Sequence, residues 1–315
     1  MKRILVTGAA GQIGTELVPA LRARYGEDAV LASDVRRGVV ADTGSFAELD
    51  CRDAGAVAAL VDSHRADTVF HLAALLSATA EKDPQRAYHV NMDTLFNVLE
   101  VAREKSCAVF TPSSIAAFGP DTPRDLTPQD TVQRPTTMYG VTKVAGELLC
   151  DYYHRRYDVD TRGVRYPGII SYGSPAGGGT TDYAVEIFYH ALQHGSYTCF
   201  LSADTQLDMM YMPDATRAAI DVMEADPARL EHRNAFNVTA MQLTPARLAD
   251  AIRQHIPGFE MRYDVDPVRQ NIADSWPLHI DDTAARAEWG WEPEFGVTEM
   301  VTDMLANLRR KLQAG

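Results

Sequence analysis

Cysteine is scarce in this 315-residue chain: Cys51, Cys107, Cys150 and Cys199 stand far apart, with no C-x-x-C pair. That spacing offers neither a disulfide framework nor a cysteine-built zinc site. Positive charge is also short, with 30 Lys and Arg against 43 Asp and Glu and a formal charge of −13 at pH 7. Phosphate backbones are held by surplus Lys and Arg, so no nucleic-acid partner is expected. No apolar run approaches the roughly 18 residues that a membrane helix needs, so no membrane partner is expected either. The start, Met1-Lys2-Arg3-Ile4-Leu5-Val6-Thr7-Gly8, reaches glycine too early for a signal peptide. The expectation is a reduced, cytoplasmic, globular protein, and at 46% hydrophobic it has ample material for a large core.

What is present alternates between two periodicities. Short apolar runs at Arg3–Val6, Ala29–Ser33, Thr68–His71 and Cys107–Thr111 read as buried strands. Between them, amphipathic stretches at Ile13–Arg24, Ala54–Ser63 and Gln85–Glu104 read as helices. Strands of this kind separated by helices predict an α/β fold, a Rossmann-type doubly wound parallel sheet. A helix over Tyr139–Tyr157, a strand over Asp160–Arg165 and a helix over Asp182–Gln193 follow. Beyond about Phe200 the pattern is irregular and punctuated by proline. The expected division is a dinucleotide-binding part over 1–170, with a returning segment at about 207–238. A smaller substrate-binding part over 171–206 and 239–315 completes it.

The first strand runs into Thr7-Gly8-Ala9-Ala10-Gly11-Gln12-Ile13-Gly14. Gly8 suits a tight turn, Gly11 lets backbone approach a pyrophosphate, and Gly14 lets the helix pack close, with its N-terminus toward the phosphates. Gln12 and Ile13 belong to the same loop. Asp34 ends the second strand 20 residues after Gly14, where a carboxylate can accept from the adenosine ribose hydroxyls. That acid favours NAD over NADP, whereas Arg36 and Arg37 could clamp a 2′-phosphate. Asp50 and Cys51 are placed near the adenine, and Leu72, Ala73, Ala74 and Asn91 along the same groove.

Tyr139 and Lys143 stand one helical turn apart. A free phenol titrates near 10 and is a poor base. The lysine and a positively charged nicotinamide are expected to lower it. Ser114, in Thr111-Pro112-Ser113-Ser114, follows a buried strand and can meet Tyr139 on one substrate oxygen. His190 and His194 sit four apart without the remaining ligands of a zinc site, so no metal is expected.

These motifs together resemble the extended short-chain dehydrogenase/reductase family, which includes nucleotide-sugar epimerases and dehydratases. Leu207–Asp214 and Trp289-Gly290-Trp291-Glu292-Pro293 are similar to that family's later segments. Arg165–Ile170 and Gly177–Ala184 resemble its short-chain L-threonine 3-dehydrogenase branch. The resemblance implies NAD-dependent oxidation of the β-hydroxyl of L-threonine to 2-amino-3-oxobutanoate. Tyr139 would be the general base, Lys143 its partner on the nicotinamide ribose, and Ser114 the donor to the substrate oxygen. Tyr166, Pro167 and Ile169 would complete the cofactor groove. For substrate, Ser77, Thr180 and Thr181 are candidates, with Asp182 as ammonium acceptor or helix cap and Trp276 as a wall or a core residue. The segment Gly173–Thr181 is expected to close over the substrate. A homodimer through the two long helices is implied. A UDP-sugar 4-epimerase using the same residues, and an NAD-binding sensor without turnover, are the competing readings.

Overall fold

The computed structural model describes residues 1–173, 177 and 179–314. Its first strands are β1 (Ile4–Thr7), β2 (Val30–Asp34), β3 (Phe46–Glu48), β4 (Thr68–His71), β5 (Ala108–Phe110), β6 (Ser113–Ser114) and β7 (Thr161–Arg162). All but β6 form one sheet in the order β3-β2-β1-β4-β5-β7, with every pair parallel. The central strands are apolar and covered on both faces, as parallel sheets require; Ile4, Leu5, Val6 and Phe70 are fully buried. The strand order reverses between β1 and β4, and the crevice beyond their carboxyl ends is where such sheets bind ligands.

Five helices cover this half: α1 (Gly14–Tyr25), α2 (Ala54–His64), α3 (Ser77–Lys82), α4 (Pro84–Lys105) and α5 (Met138–Tyr157). Their starts are written in the sequence. Asp53 accepts from Ala56 N–H at 3.0 Å for α2, Asp83 from Arg86 N–H at 3.1 Å for α4, and Thr137 from Gly140 N–H at 3.1 Å for α5. Helix α1 packs its Leu17, Val18 and Leu21 on one face of the sheet. The opposite face is covered by Val57 and Val61 of α2, Val98 and Leu99 of α4, and Cys150 and Tyr153 of α5.

The second half contributes β8 (Val164–Tyr166), β9 (Gly168–Ile170), α6 (Tyr183–His194), β10 (Ser196–Cys199), β11 (Leu207–Tyr211) and α7 (Met212–Glu224). It continues with β12 (Phe236–Asn237), β13 (Met241–Leu243), α8 (Pro245–Arg253), β14 (Glu260–Tyr263), α9 (Pro267–Asp274), α10 (Thr283–Trp289) and α11 (Val297–Ala314). Three small sheets result, β12-β8-β6, β13-β11-β9 and β10-β14. Strand β11 joins the two halves by simple alternation. Its Leu207, Met209 and Tyr211 enter a core with Phe188, Leu248 and Met304, while Met210 enters the core under α1 and α7. The two late family-like segments meet: the Asp214 carboxylate accepts from Glu294 N–H at 2.9 Å and Phe295 N–H at 3.0 Å.

The sequence reading needs three corrections here. The strand expected over Asp160–Arg165 is broken at Gly163 into β7, which pairs with β5, and β8, which pairs with β6 and β12. The strand expected over Cys107–Thr111 is confined to β5. The short elements β3 and α3 were not anticipated, since three to six residues carry too little periodicity to read.

Candidate active site

The glycine loop owes its shape to contacts, not to flexibility. Gly8 adopts φ +68°, which favours glycine, and a Cβ there would lie 2.5 Å from Ala73 N. The loop therefore lies flat against the chain leaving β4. At Gly14 a Cβ would meet the Ala9 carbonyl oxygen at 2.5 Å. Gly11 meets only the Gly8 carbonyl oxygen, at 3.2 Å, and faces the cleft with Gln12 and Ile13. No side chain caps the start of α1; its Thr15 and Glu16 amides are held by the Gly11 and Ile13 carbonyls at 3.0 and 3.2 Å, so an anion would be met by the turn at Gly11–Ile13 just before them.

Asp34 braces this loop from below. Its carboxylate accepts from Ala10 N–H at 3.0 Å and from Arg36 N–H at 3.3 Å. Arg36 is exposed, and the Arg37 guanidinium lies 5.6 Å over the Phe46 ring. Leu72 and Ala74 line the cleft, whereas Ala73 backs Gly8. Asp50 is paired with Arg52 at 2.6 Å. The Cys51 side chain is buried in the core with Leu5 and Val69, and burial pushes its thiol up to about 12. The Asn91 amide accepts from Leu75 N–H at 2.7 Å and donates to the Leu75 carbonyl and to Thr142 Oγ1. It ties α4 to α5 and to the chain after β4. Thus Asp50, Cys51 and Asn91 stand outside the main cleft.

At the other side of the crevice, α5 delivers Tyr139 and Lys143. Gly140 makes this possible: a Cβ there would stand 2.2 Å from the Ala116 carbonyl oxygen. The first turn of α5 therefore rests on the turn at Ile115–Ala117, and the Tyr139 hydroxyl reaches Ser114. Lys143 Nζ donates to the Pro112 carbonyl at 2.7 Å and lies 5.4 Å from the Tyr139 ring centroid. Burial pushes the Tyr139 phenol up to about 12, against a smaller lowering from the Ser114 hydrogen bond. Burial also brings Lys143 down to about 8, opposed by the charge of Glu147. The expected lowering of the phenol by Lys143 does not appear, and desolvation of the phenolate dominates.

One turn beyond Lys143, Glu147 was missed. Its carboxylate accepts from Arg165 at 3.0 and 2.8 Å, with both side chains 7% exposed, and from Gln133 at 2.8 Å. It also binds Ser113, next to Ser114. The buried pair locks β6, α5 and β8 around the serine. Its only sequence signal was the repeated spacing of four from Tyr139 through Lys143. His71, at the end of β4, was also missed as a polar core residue. Burial lowers it to about 3, so it is neutral between Thr7 Oγ1 at 2.8 Å and Thr94 Oγ1 at 3.3 Å.

The cleft encloses a cavity of about 200 Å³. Tyr166, Pro167 and Ile169 form one wall, with the Tyr166 hydroxyl committed to the Ala215 carbonyl at 2.6 Å. Ser77, at the start of α3, and Trp276, after α9, close it from two other directions. Thr180 and Thr181 complete it. The buried Thr180 Oγ1 has no hydrogen-bond partner among the described residues. Asp182 faces the cleft and accepts from Gly179 N–H at 2.8 Å instead of capping α6. Of the segment expected to close over substrate, residues 174–176 and 178 lie outside the described residues. Among the described residues, no group of three His, Cys, Asp or Glu is gathered to hold a metal, and no helix is long and apolar enough to cross a membrane.

Known proteins bear on this geometry. An uncharacterized epimerase/dehydratase of Staphylococcus saprophyticus is 53% identical over 100% of this chain and 99% of its own. The solved L-threonine dehydrogenase of Clostridium difficile is 53% identical, with a TM-score of 0.97 over 99% of this chain and 98% of that one. A structure described as a monomeric L-threonine 3-dehydrogenase from a metagenome is 45% identical, with a TM-score of 0.94 over 98% and 99%. The model of the NAD-dependent epimerase/dehydratase family matches residues 4–239. With its glycine loop, switch-point crevice and Ser114–Tyr139–Lys143 cluster in place, the chain belongs to that family.

Proposed function

We propose that this protein oxidises the β-hydroxyl of L-threonine to 2-amino-3-oxobutanoate, with NAD⁺ reduced to NADH. The observation that carries the reading is the gathering of Ser114, Tyr139 and Lys143 on one side of the cleft, between the glycine loop and Thr180. The chain fits the cofactor: only glycine is tolerated at position 8, and the start of α1 is uncapped. Gly11, Gln12 and Ile13 would hold the pyrophosphate, and Asp34 at the loop favours a free ribose over a 2′-phosphate. When bound, the oxidised nicotinamide supplies the hydride acceptor and a positive charge.

Tyr139 takes the hydroxyl proton, Ser114 orients the substrate oxygen, and Lys143 holds the nicotinamide ribose. Burial pushes the Tyr139 phenol up, and positive charge beside it, from Lys143 or an oxidised nicotinamide, would favour the phenolate that a base requires. Thr180, Thr181 and Ser77 meet the carboxylate, Asp182 faces the ammonium, and Trp276 excludes water. In this reading residues 1–170 with 207–238 serve the cofactor, and 171–206 with 239–315 serve the substrate. Four free, buried cysteines support a reducing cytoplasmic setting. Exposed Tyr88 and Phe96 on α4 with Leu148 and Tyr152 on α5 support a homodimer across these helices.

The test is NADH release from purified protein with NAD⁺ and, separately, L-threonine, D-threonine, L-serine and UDP-galactose. Release with L-threonine alone is expected. Conversion of UDP-galactose to UDP-glucose without free NADH would replace this reading by an epimerase, and NAD binding without any turnover would make the protein a sensor. Light scattering at assay concentration decides the dimer.

A further inference from the structure

Between the cofactor loop and the C-terminal helix, three residues are gripped from both sides. The chain leaves β9 through Ser171, Tyr172 and Gly173, on its way to Thr180 and Thr181 in the cleft. On one side stands Glu16, in the first turn of α1, two residues after Gly14. Its carboxylate accepts from Ser171 Oγ, and that hydroxyl oxygen in turn accepts from Gly173 N–H at 3.0 Å. Gly173 is pressed so close that a Cβ would meet Glu16 Oε1 at 2.5 Å. On the other side stands Lys311 of α11, whose Nζ donates to the Tyr172 carbonyl at 3.0 Å and the Gly173 carbonyl at 2.9 Å. Tyr189 of α6 adds its hydroxyl to the Tyr172 carbonyl at 3.4 Å. Opposite charges from two remote elements thus bracket one short piece of backbone, using its N–H and C=O groups.

Lys311 touches neither cleft nor core, and a surface lysine has ample freedom to stay in water. Its two carbonyl bonds converge on the arm that leads to the substrate side of the cleft. We infer that Glu16 and Lys311 are positioning residues that clasp Tyr172–Gly173, register Thr180 and Thr181 against the cofactor loop, and so set affinity for the amino-acid substrate. The inference rests on the proposed threonine reading for its kinetic consequence, but the clasp itself does not.

The experiment compares Lys311→Met, Glu16→Ala and Glu16→Gln with the wild type. Charge-assisted hydrogen bonds of this kind correspond to a rise in KM for L-threonine of about tenfold in Lys311→Met and Glu16→Ala. The turnover number is expected within about twofold of wild type and the NAD⁺ dissociation constant unchanged, because the glycine loop and Tyr139 are untouched. Glu16→Gln keeps an acceptor oxygen and is expected to restore most of the affinity. An unaltered KM in both disruptive variants overturns the clasp, as does a parallel fall of turnover, NAD⁺ affinity and Tm. Amide hydrogen exchange at Tyr172–Gly173 and Thr180–Asp182 is followed in the same proteins. Faster exchange in Lys311→Met supports the clasp even if the wild type fails to oxidise threonine, and unchanged exchange rejects it.

Discussion

The two sides of the cleft are built by opposite means. The proposed cofactor side is backbone: Gly8, Gly11 and Gly14 act through the absence of a side chain, and all lie within the seven residues Gly8–Gly14 that lead from β1 into α1. The substrate side is side chains gathered from afar, Ser77 after β4, Thr180 and Thr181 before α6, and Trp276 after α9. A backbone site for a shared cofactor can be carried by a short local pattern. A side-chain site for a particular small molecule depends on the relative placement of elements that are distant in sequence.

The catalytic pair sits on the border, and removing its hydroxyl should separate the two sides most sharply. Tyr139→Phe is expected to lower kcat by about 10³-fold, in the range of a lost general base, while NAD⁺ affinity measured by fluorescence titration stays at the wild-type value. A variant retaining more than about a tenth of wild-type turnover would remove the base from Tyr139. Next in size is Gly140→Ala. Its new methyl must push α5 away from the Ala116 carbonyl, so Ser114 and Tyr139 no longer converge. A displacement of that order can cost about 10²-fold in kcat, and overpacking about 1–3 kcal/mol of stability in a denaturant titration. Unchanged kcat would mean that the Ser114–Tyr139 contact does not matter.

A smaller effect sharpens the substrate side. Thr180→Val removes a buried hydroxyl that has no partner among the described residues. KM for L-threonine is expected to rise about tenfold. Thermal stability is expected to hold or increase, because an unpaired buried hydroxyl is itself unfavourable. A fall in Tm with unaltered KM would show that the hydroxyl serves the fold instead.

The mildest test probes the cofactor side through its core. Burial brings His71 down to about 3 in the folded protein, from an ordinary value of 6.5. The unfolded chain therefore binds the proton first, so stability is undiminished above pH 6.5 and declines as pH falls from 6.5 toward 3. The slope from this residue is about 1.4 kcal/mol per pH unit. Denaturant titrations at pH 7, 6 and 5 should show it, and His71→Gln should flatten the decline even where it lowers overall stability. A parallel decline in the variant would assign the acid sensitivity elsewhere.

Most of the frame was legible because its signals are local. Buried β-branched and aliphatic runs, caps at Asp53, Asp83 and Thr137, and glycines at 8, 11 and 14 act over a handful of residues. The α5 pair Tyr139 and Lys143 was legible for the same reason, since helical spacing alone places both on one stripe. Less was legible where a residue's contacts depend on what lies across from it. The Cys51 side chain packs with Leu5 and Val69, and the Asn91 amide holds Leu75 and Thr142. Asp182 proved to bind Gly179.

The sequence by itself determined a parallel sheet with a dinucleotide loop at its switch point and a tyrosine–lysine helix beside it, because periodicity and turn chemistry are properties of neighbouring residues. Only the tertiary structure decided that Gly140 lets that helix reach Ser114 and that Glu147 meets Arg165. It alone revealed that burial, not Lys143, governs the phenol in the open cleft. It also brought Glu16 and Lys311 to opposite sides of Tyr172–Gly173. Each of these depends on distance and desolvation between groups far apart in the chain, and neither quantity exists until the chain is folded.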